Sequence, residues 1–99
     1  MNVTTIAPTD NTDTGATGDS ADRITELRGR INAIDEQLIS LWRERAALSQ
    51  EVGTVRVAAG GTRLMLARER EILEHFKAQL GEDGTQLALL ILRAGRGRL

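Results

Sequence analysis

The feature that most constrains the fold of this chain is an apolar seam in which steps of three and four residues alternate. Its members are Ile24, Leu27, Ile31, Ile34, Leu38, Leu41, Arg45, Leu48, Val52 and Val55. Such a repeat lies on one face of a helix that packs against other helices. Arg45 is the one charged member, and a guanidinium in an apolar seam is costly to bury unless an anionic group meets it. The seam therefore predicts a packed helix with an anion-binding position inside it.

The seam is too long to be covered by the rest of its own chain. We expect the first helix to begin at Ser20 or Asp22, either of which can cap it, and to continue to about Ala59, where Gly60 and Gly61 end it. A helix of this length spans on the order of 50 Å. A compact domain of this size is only about 25 Å across. The sequence therefore predicts that a second copy of the chain covers the seam in a helical homodimer.

A second helix is expected from about Arg63 to Leu80, with Thr62 as its cap. Glycines at both ends of residues 81–84 indicate a turn after it. The side chains expected to face inward are Met65, Ile72, Leu73, Phe76 and Leu80.

The third helix is expected from Gln86 to about Ala94, with Thr85 as its cap. Residues 87–92 are apolar all round and should be buried. Two glycines within residues 95–99 disfavour a stable helix there, so this end is predicted to be mobile and to become ordered on binding. Because strand-forming residues are scarce, the predicted fold class is all-α, with a three-helix protomer.

Composition excludes several classes of protein. The chain has no cysteine, which rules out disulfide and Cys-zinc chemistry. No apolar run approaches the roughly 18 residues of a membrane span, and no secretory signal is recognisable, so a cytoplasmic protein is expected. Residues 1–20 are rich in Thr, Asp, Asn and Gly and predict a disordered tail, followed by a helical domain over 21–99. That domain carries about +2, which suits a small anion better than a nucleic acid.

The arginines of the first helix indicate a small polyanionic ligand. Arg45 and Arg56 are three turns apart, about 16 Å along the axis, and their long side chains can converge on one molecule. Arg28 is about 25 Å from Arg45 along the same helix, so it would reach that molecule only from the partner of an antiparallel dimer. Arg68 and Glu69 lie beside the inward face of the second helix, where a surface ion pair is the plainer interpretation. The residues supply no nucleophile and no metal-binding set.

Taken together, these positions resemble the all-helical chorismate mutases. The resemblance covers residues 22–99, and Gly60–Leu64 and Gly95–Leu99 resemble the short actinobacterial branch of that family. The residues that carry it are Leu27, Arg28, Ile31, Ile34, Asp35, Leu38, Arg43, Glu44, Arg45, Ala46, Val52, Gly53, Arg56, Arg68 and Glu69. It implies three-helix protomers intertwined in a homodimer with two sites. It also implies an isomerase of the shikimate pathway that converts chorismate to prephenate by a [3,3] rearrangement, without cofactor or metal, for phenylalanine and tyrosine biosynthesis.

The resemblance also implies roles for individual residues. Arg28 of one subunit and Arg45 of the other would hold the two substrate carboxylates. Arg56 would face the ether oxygen, and Glu69 would accept a hydrogen bond from the ring hydroxyl. The remaining members of the site would be Arg68, through its charge, and Met65, through its main chain.

Two departures from the family pattern concern the edge of this site. Met65 stands where many members carry an acidic residue. The third helix is expected to stop before the polar residue that completes the ether-oxygen side, and Arg96, Arg98 and the Leu99 carboxylate fall near that place. Relatives with this ending are activated by docking onto 3-deoxy-D-arabino-heptulosonate-7-phosphate (DAHP) synthase. We therefore expect that synthase to order the C-terminal residues of this chain.

Two alternatives remain open. The same scaffold and arginine pattern occur in isochorismate pyruvate-lyases and aminodeoxychorismate mutases, which product analysis would distinguish. A non-enzymatic dimerisation module would instead pair Arg45 with a partner's acid such as Asp35 or Glu44, and it would not bind a dicarboxylate that mimics the transition state.

Overall fold

A computed structural model describes residues 18–97, and this part of the chain is built from three α-helices. Helix α1 comprises Gly18–Ala58, α2 comprises Leu66–Leu80 and α3 comprises Glu82–Arg96. The described residues contain no strand, and the predicted all-α class with a long first helix is confirmed. The chain divides into a unit ending at Gln37 and a second unit beginning at Leu38, with residues of α1 in both.

The N-terminal predictions are corrected in part. Residues 1–17 of the predicted tail lie outside the described residues, whereas Gly18, Asp19 and Ser20 are already helical. Helix α1 therefore begins before the expected caps Ser20 and Asp22. Asp19 in the first turn favours this earlier start, because a negative charge there interacts well with the helix dipole.

Helix α1 ends at the glycine pair, as predicted. Gly60 has a φ of 92°, a left-handed conformation that suits glycine. Its amide donates to the carbonyl of Val57 over 3.0 Å, and the amide of Gly61 donates to the carbonyl of Arg56 over 2.8 Å. These two bonds form a Schellman motif, which places Arg56 in the last turn of α1 beside the following loop.

Helix α2 begins at Leu66, later than the predicted Arg63. The Thr62 hydroxyl does not cap the helix, because Thr62 lies three residues before the N-cap; it donates instead to the carbonyl of Leu64 over 2.8 Å. Met65 takes the N-cap position with an extended backbone and without a side-chain cap bond. Arg63 consequently belongs to the loop between α1 and α2 rather than to a helix.

The turn between α2 and α3 is shorter than predicted. Gly81 alone makes it, with a φ of 70°, and α3 begins at Glu82, so Thr85 is inside the helix rather than at its cap. Gly84 is buried against α2, where a Cβ would collide with the main-chain carbonyl of Phe76. This glycine therefore permits close packing of the two helices, although its sequence context suggests a turn.

Helix α3 also ends later than predicted, at Arg96, with Gly97 as its C-cap. The expectation that residues from 95 onward form no helix is wrong for Gly95 and Arg96. Gly95 is buried where α3 meets α1, and a Cβ there would lie 2.6 Å from the Ser49 Oγ. The side-chain amide of Gln50 donates to the Ala94 carbonyl over 3.0 Å. These contacts with α1 offset the low helix propensity of glycine.

A small core joins α2 to α3. It consists of Ile72, Ala88 and Leu92, with Leu73 and Phe76 packed against it. Residues 87–92 were predicted to be buried, and Ala88 and Leu92 are buried. In the single chain the run also leaves side chains of its other faces exposed, namely Leu87, Leu89 and Leu90.

Two side chains of the second predicted helix that were expected to face inward are exposed in the single chain. Met65 is 41% exposed and Leu80 is 55% exposed. Met65 stands at the N-cap and Leu80 at the last residue of the helix, so neither lies over the core.

The seam of α1 is uncovered in the single chain. Its apolar members range from 37% exposed at Ile24 to 63% at Val55. A contiguous apolar surface of this kind marks an interaction site. None of the three described helices combines the length and the apolar character that a membrane crossing requires.

Candidate active site

A cavity of about 560 Å³ lies in the second unit, between the C-terminal part of α1, the following loop, α2 and the end of α3. This volume is in the range of small-molecule sites. Five guanidiniums and two carboxylates contribute to its wall, which gives it a positive character. These charged residues are Arg45, Arg56, Arg63, Arg68, Arg96, Glu69 and Glu71.

Arg45 is half-buried in this wall and has no carboxylate partner among residues 18–97. Burial lowers the pKa of its guanidinium, and the nearby positive charge of Arg68 lowers it further. The free protein therefore holds a partly desolvated cation that an anion in the cavity would stabilise. A purely structural role would pair Arg45 with an acid of its own chain. The described residues contain no such pair.

Arg56 lines the same cavity as Arg45, in agreement with their three-turn spacing. Its aliphatic part packs against Gly61, where a Cβ would lie 3.1 Å from the Arg56 Cγ. The Schellman turn thus holds the loop close to Arg56, and the described residues provide no acid that pairs with it. Arg45 and Arg56 together offer two guanidiniums to one ligand.

Glu69 and Arg96 form a bidentate ion pair at the edge of the cavity. The Arg96 Nη2 donates to the Glu69 Oε1 over 2.6 Å, and the Nε donates to the Oε2 over 3.0 Å. The Glu69 side chain is 15% exposed and that of Arg96 is 32% exposed. The hydrogen bond to Glu69 raises the pKa of Arg96, against the opposing effect of burial. This pair ties the last turn of α3 to the first turn of α2.

Arg68 does not pair with Glu69, so the interpretation of these neighbours as a surface ion pair is wrong. The Arg68 Nη1 instead lies 3.4 Å from the Glu71 Oε1, and both side chains are well exposed. An exposed pair of this kind contributes little to stability. Arg68 therefore remains a source of positive charge near Arg45.

The other predicted site residues are placed as follows. Met65 lines the cavity from the N-cap of α2. Arg28 lies on α1 in the unit that ends at Gln37, whereas the cavity wall comes from the other unit. Arg98 and Leu99 lie outside the described residues.

Arg63 also lines the cavity, although it is not among the site residues predicted from the sequence. Its side chain lies across Gly53, where a Cβ would be 3.0 Å from the Arg63 Cγ and 3.5 Å from the Nη1. Gly53 is the one buried residue of α1. A glycine in the interior of a long helix often marks a close approach by another group, and this signal points to the loop that carries Arg63.

The sequence matches those of known enzymes over most of its length. A family profile described as chorismate mutase type II matches residues 27–91. The intracellular chorismate mutases of Mycobacterium tuberculosis and Mycobacterium bovis are each 45% identical over 76 residues, which is 77% of this chain and 71% of theirs. That of Mycolicibacterium smegmatis is 41% identical over 81 residues, covering 82% of this chain and 78% of its own.

A solved structure shares the fold. It is described as the non-covalent complex of DAHP synthase and chorismate mutase from Corynebacterium glutamicum with bound transition state analog. The matching chain gives a TM-score of 0.76 at 39% identity and covers 81% of this chain and 96% of that chain. The profile match, the identity to the mycobacterial enzymes and the shared helical fold show that this chain belongs to the chorismate mutase type II family.

Proposed function

We propose that this chain is a chorismate mutase, an isomerase that converts chorismate to prephenate in phenylalanine and tyrosine biosynthesis. One observation carries the proposal. Arg45 and Arg56 line a single cavity of about 560 Å³ and have no carboxylate partner among residues 18–97. A pair of uncompensated guanidiniums suits a small dicarboxylate such as chorismate.

The reaction is an intramolecular [3,3] rearrangement, so the protein has to hold the substrate in a compact, chair-like conformer and stabilise the charge that develops on the ether oxygen. Cationic groups fixed in place perform both tasks. We assign one carboxylate to Arg45 and the other to Arg28 of a second subunit. Arg56, placed beside the loop at the end of α1, would face the ether oxygen.

Glu69 is assigned to the ring hydroxyl. Each of its carboxylate oxygens accepts one bond from Arg96 and retains a lone pair that can accept another. Arg68 would add positive potential near the carboxylates, and the main chain of Met65 would complete the binding set.

The working form is proposed to be an intertwined homodimer with two sites. The apolar seam of α1, at least 37% exposed at each of its apolar positions, needs a covering surface. A second α1 provides the same seam and brings in the Arg28 that the mechanism requires. The site would then be complete only in the dimer.

DAHP synthase is the proposed regulatory partner, because the Corynebacterium glutamicum neighbour is described in complex with that enzyme. Arg96, Arg98 and Leu99 are the residues proposed to respond to it. Since the mycobacterial relatives are called intracellular, a cytoplasmic location is proposed as well.

The decisive experiment measures prephenate formation by the purified chain, alone and with its cognate synthase. Prephenate formation that increases with the synthase is the expected result. Equal, high rates in both mixtures would remove the regulatory proposal. Isochorismate and aminodeoxychorismate, tested in parallel, separate the two related activities. A chain that neither forms prephenate nor binds a transition-state-mimicking dicarboxylate is not a mutase.

A further inference from the structure

The last turn of α3 is fixed at two places beside the cavity. Gln50 of α1 donates to the Ala94 carbonyl over 3.0 Å, and the buried Gly95 packs against Ser49. The next residue, Arg96, then reaches α2 and forms the bidentate pair with Glu69. Three successive residues of α3 thus contact both other helices.

Glu69 needs such a partner because of its surroundings. It is the more buried of the two carboxylates in a cavity whose other charged lining residues are arginines, with 15% of its side chain exposed against 71% for Glu71. An uncompensated carboxylate there would repel a dianionic ligand. Arg96 neutralises this charge from the edge of the cavity and leaves the guanidiniums of α1 available.

The pair also fixes the orientation of Glu69. A bidentate contact between a planar guanidinium and a carboxylate determines the plane of the carboxylate as well as its distance. The remaining lone pairs of the two oxygens are then held in one direction. A hydroxyl donor in the cavity would meet a carboxylate that is already oriented, so no rotamer has to be frozen on binding.

We propose that Arg96 is a positioning residue that orients the Glu69 carboxylate toward the ring hydroxyl of the substrate, and that Gln50 and Gly95 hold Arg96 in place for this purpose. The inference rests on the proposed function. Arg96 acts through Glu69 and does not itself bind a substrate carboxylate.

A mutant cycle tests this role. Arg96→Ala should lower kcat/KM for chorismate by roughly 10- to 100-fold, the range for a lost charge-assisted hydrogen bond, while Arg96→Lys should restore part of the loss. On a Glu69→Ala background the Arg96→Ala change should have no further effect. Arg93→Ala is the matched control, because Arg93 is an exposed arginine in the same last turn and does not line the cavity.

Inhibitor binding distinguishes positioning from a structural role. A transition-state-mimicking dicarboxylate is compared with its analogue that lacks the ring hydroxyl. Arg96→Ala should weaken binding of the hydroxylated compound more than binding of the other, which loses the charge compensation of Glu69 but no oriented hydrogen bond, whereas a disturbed α3 would weaken both equally. Three outcomes would overturn the inference alone: equally weakened binding of both compounds, an unchanged kcat/KM in Arg96→Ala, or an equal loss of kcat/KM when Arg96→Ala is made on the Glu69→Ala background. A wild-type chain that neither turns over chorismate nor binds either compound refutes the proposed function, and the inference with it.

Discussion

Arg45→Met should separate stability from catalysis in this protein. Methionine keeps much of the aliphatic volume of arginine and removes the charge. In the free chain that charge is half-buried, is repelled by Arg68 and has no carboxylate partner among residues 18–97. Its removal therefore relieves an unfavourable interaction and breaks no ion pair.

The expected magnitudes differ widely for the two properties. The free energy of unfolding should fall by no more than about 1 kcal/mol and can rise, because the change breaks no ion pair and leaves no buried charge unpaired. In the proposed substrate complex, by contrast, the guanidinium would face a substrate carboxylate, and truncating one partner of a buried charge pair costs about 2–5 kcal/mol. Since about 1.36 kcal/mol is tenfold in rate, kcat/KM should fall roughly 30-fold to several thousand-fold.

Two assays measure these quantities. Urea unfolding at a fixed protein concentration gives the free energy of unfolding, because the midpoint of the proposed dimer would depend on concentration. Prephenate formation gives kcat/KM. A dicarboxylate inhibitor at one hundred times its Kd should stabilise the wild type by about 2.7 kcal/mol, and the same concentration should stabilise Arg45→Met far less.

Arg43→Met is the control, because Arg43 is exposed on the same helix and does not line the cavity. Arg43→Met should change neither the free energy of unfolding nor kcat/KM appreciably. The reasoning is refuted if Arg45→Met loses more than about 2 kcal/mol of stability while kcat/KM changes less than threefold. That pattern would show that Arg45 forms a structural ion pair in the assembled protein.

Three further predictions concern single residues. Arg56→Ala should nearly abolish prephenate formation with an unchanged melting curve, and a kcat/KM within a factor of a few of wild type would contradict the assigned mechanism. Gly84→Ala should destabilise the protein by about 1–3 kcal/mol in urea unfolding, because its Cβ collides with the Phe76 carbonyl. Gly29→Ala, where nothing lies within 4 Å of the added Cβ, should not destabilise it. Leu41→Glu places a charge on the exposed seam and should yield a monomer in sedimentation velocity with loss of activity, whereas an active monomer would refute the shared site.

Much of the helical framework follows from the sequence because its causes are local. The alternating steps of the seam define a helix face, and Gly60 and Gly61 end α1 through bonds to residues one turn away. Arg45 is conspicuous in the sequence because it is the one charged residue on that helix face. Its three-turn spacing from Arg56 then predicts that the two share a cavity.

The ends of the shorter helices could not be predicted in this way. Gly84 and Gly95 have low helix propensity, and sequence reasoning assigns both to non-helical segments. In the structure each lies where another helix approaches too closely for a Cβ, at Phe76 and at Ser49. Tertiary contact overrode propensity at both positions.

The sequence by itself determined three helices and a long apolar seam interrupted by one arginine, and it left open whether an acid pairs with that arginine. Only the tertiary structure decided that Arg63 enters the cavity and that Arg96 pairs with Glu69, 27 residues away. The physical reason is the distance along the chain over which each interaction acts. Periodicity and capping act over a few residues, whereas the meeting of two distant charges depends on how α2 and α3 pack and on the contacts with α1 that hold the last turn of α3 in place.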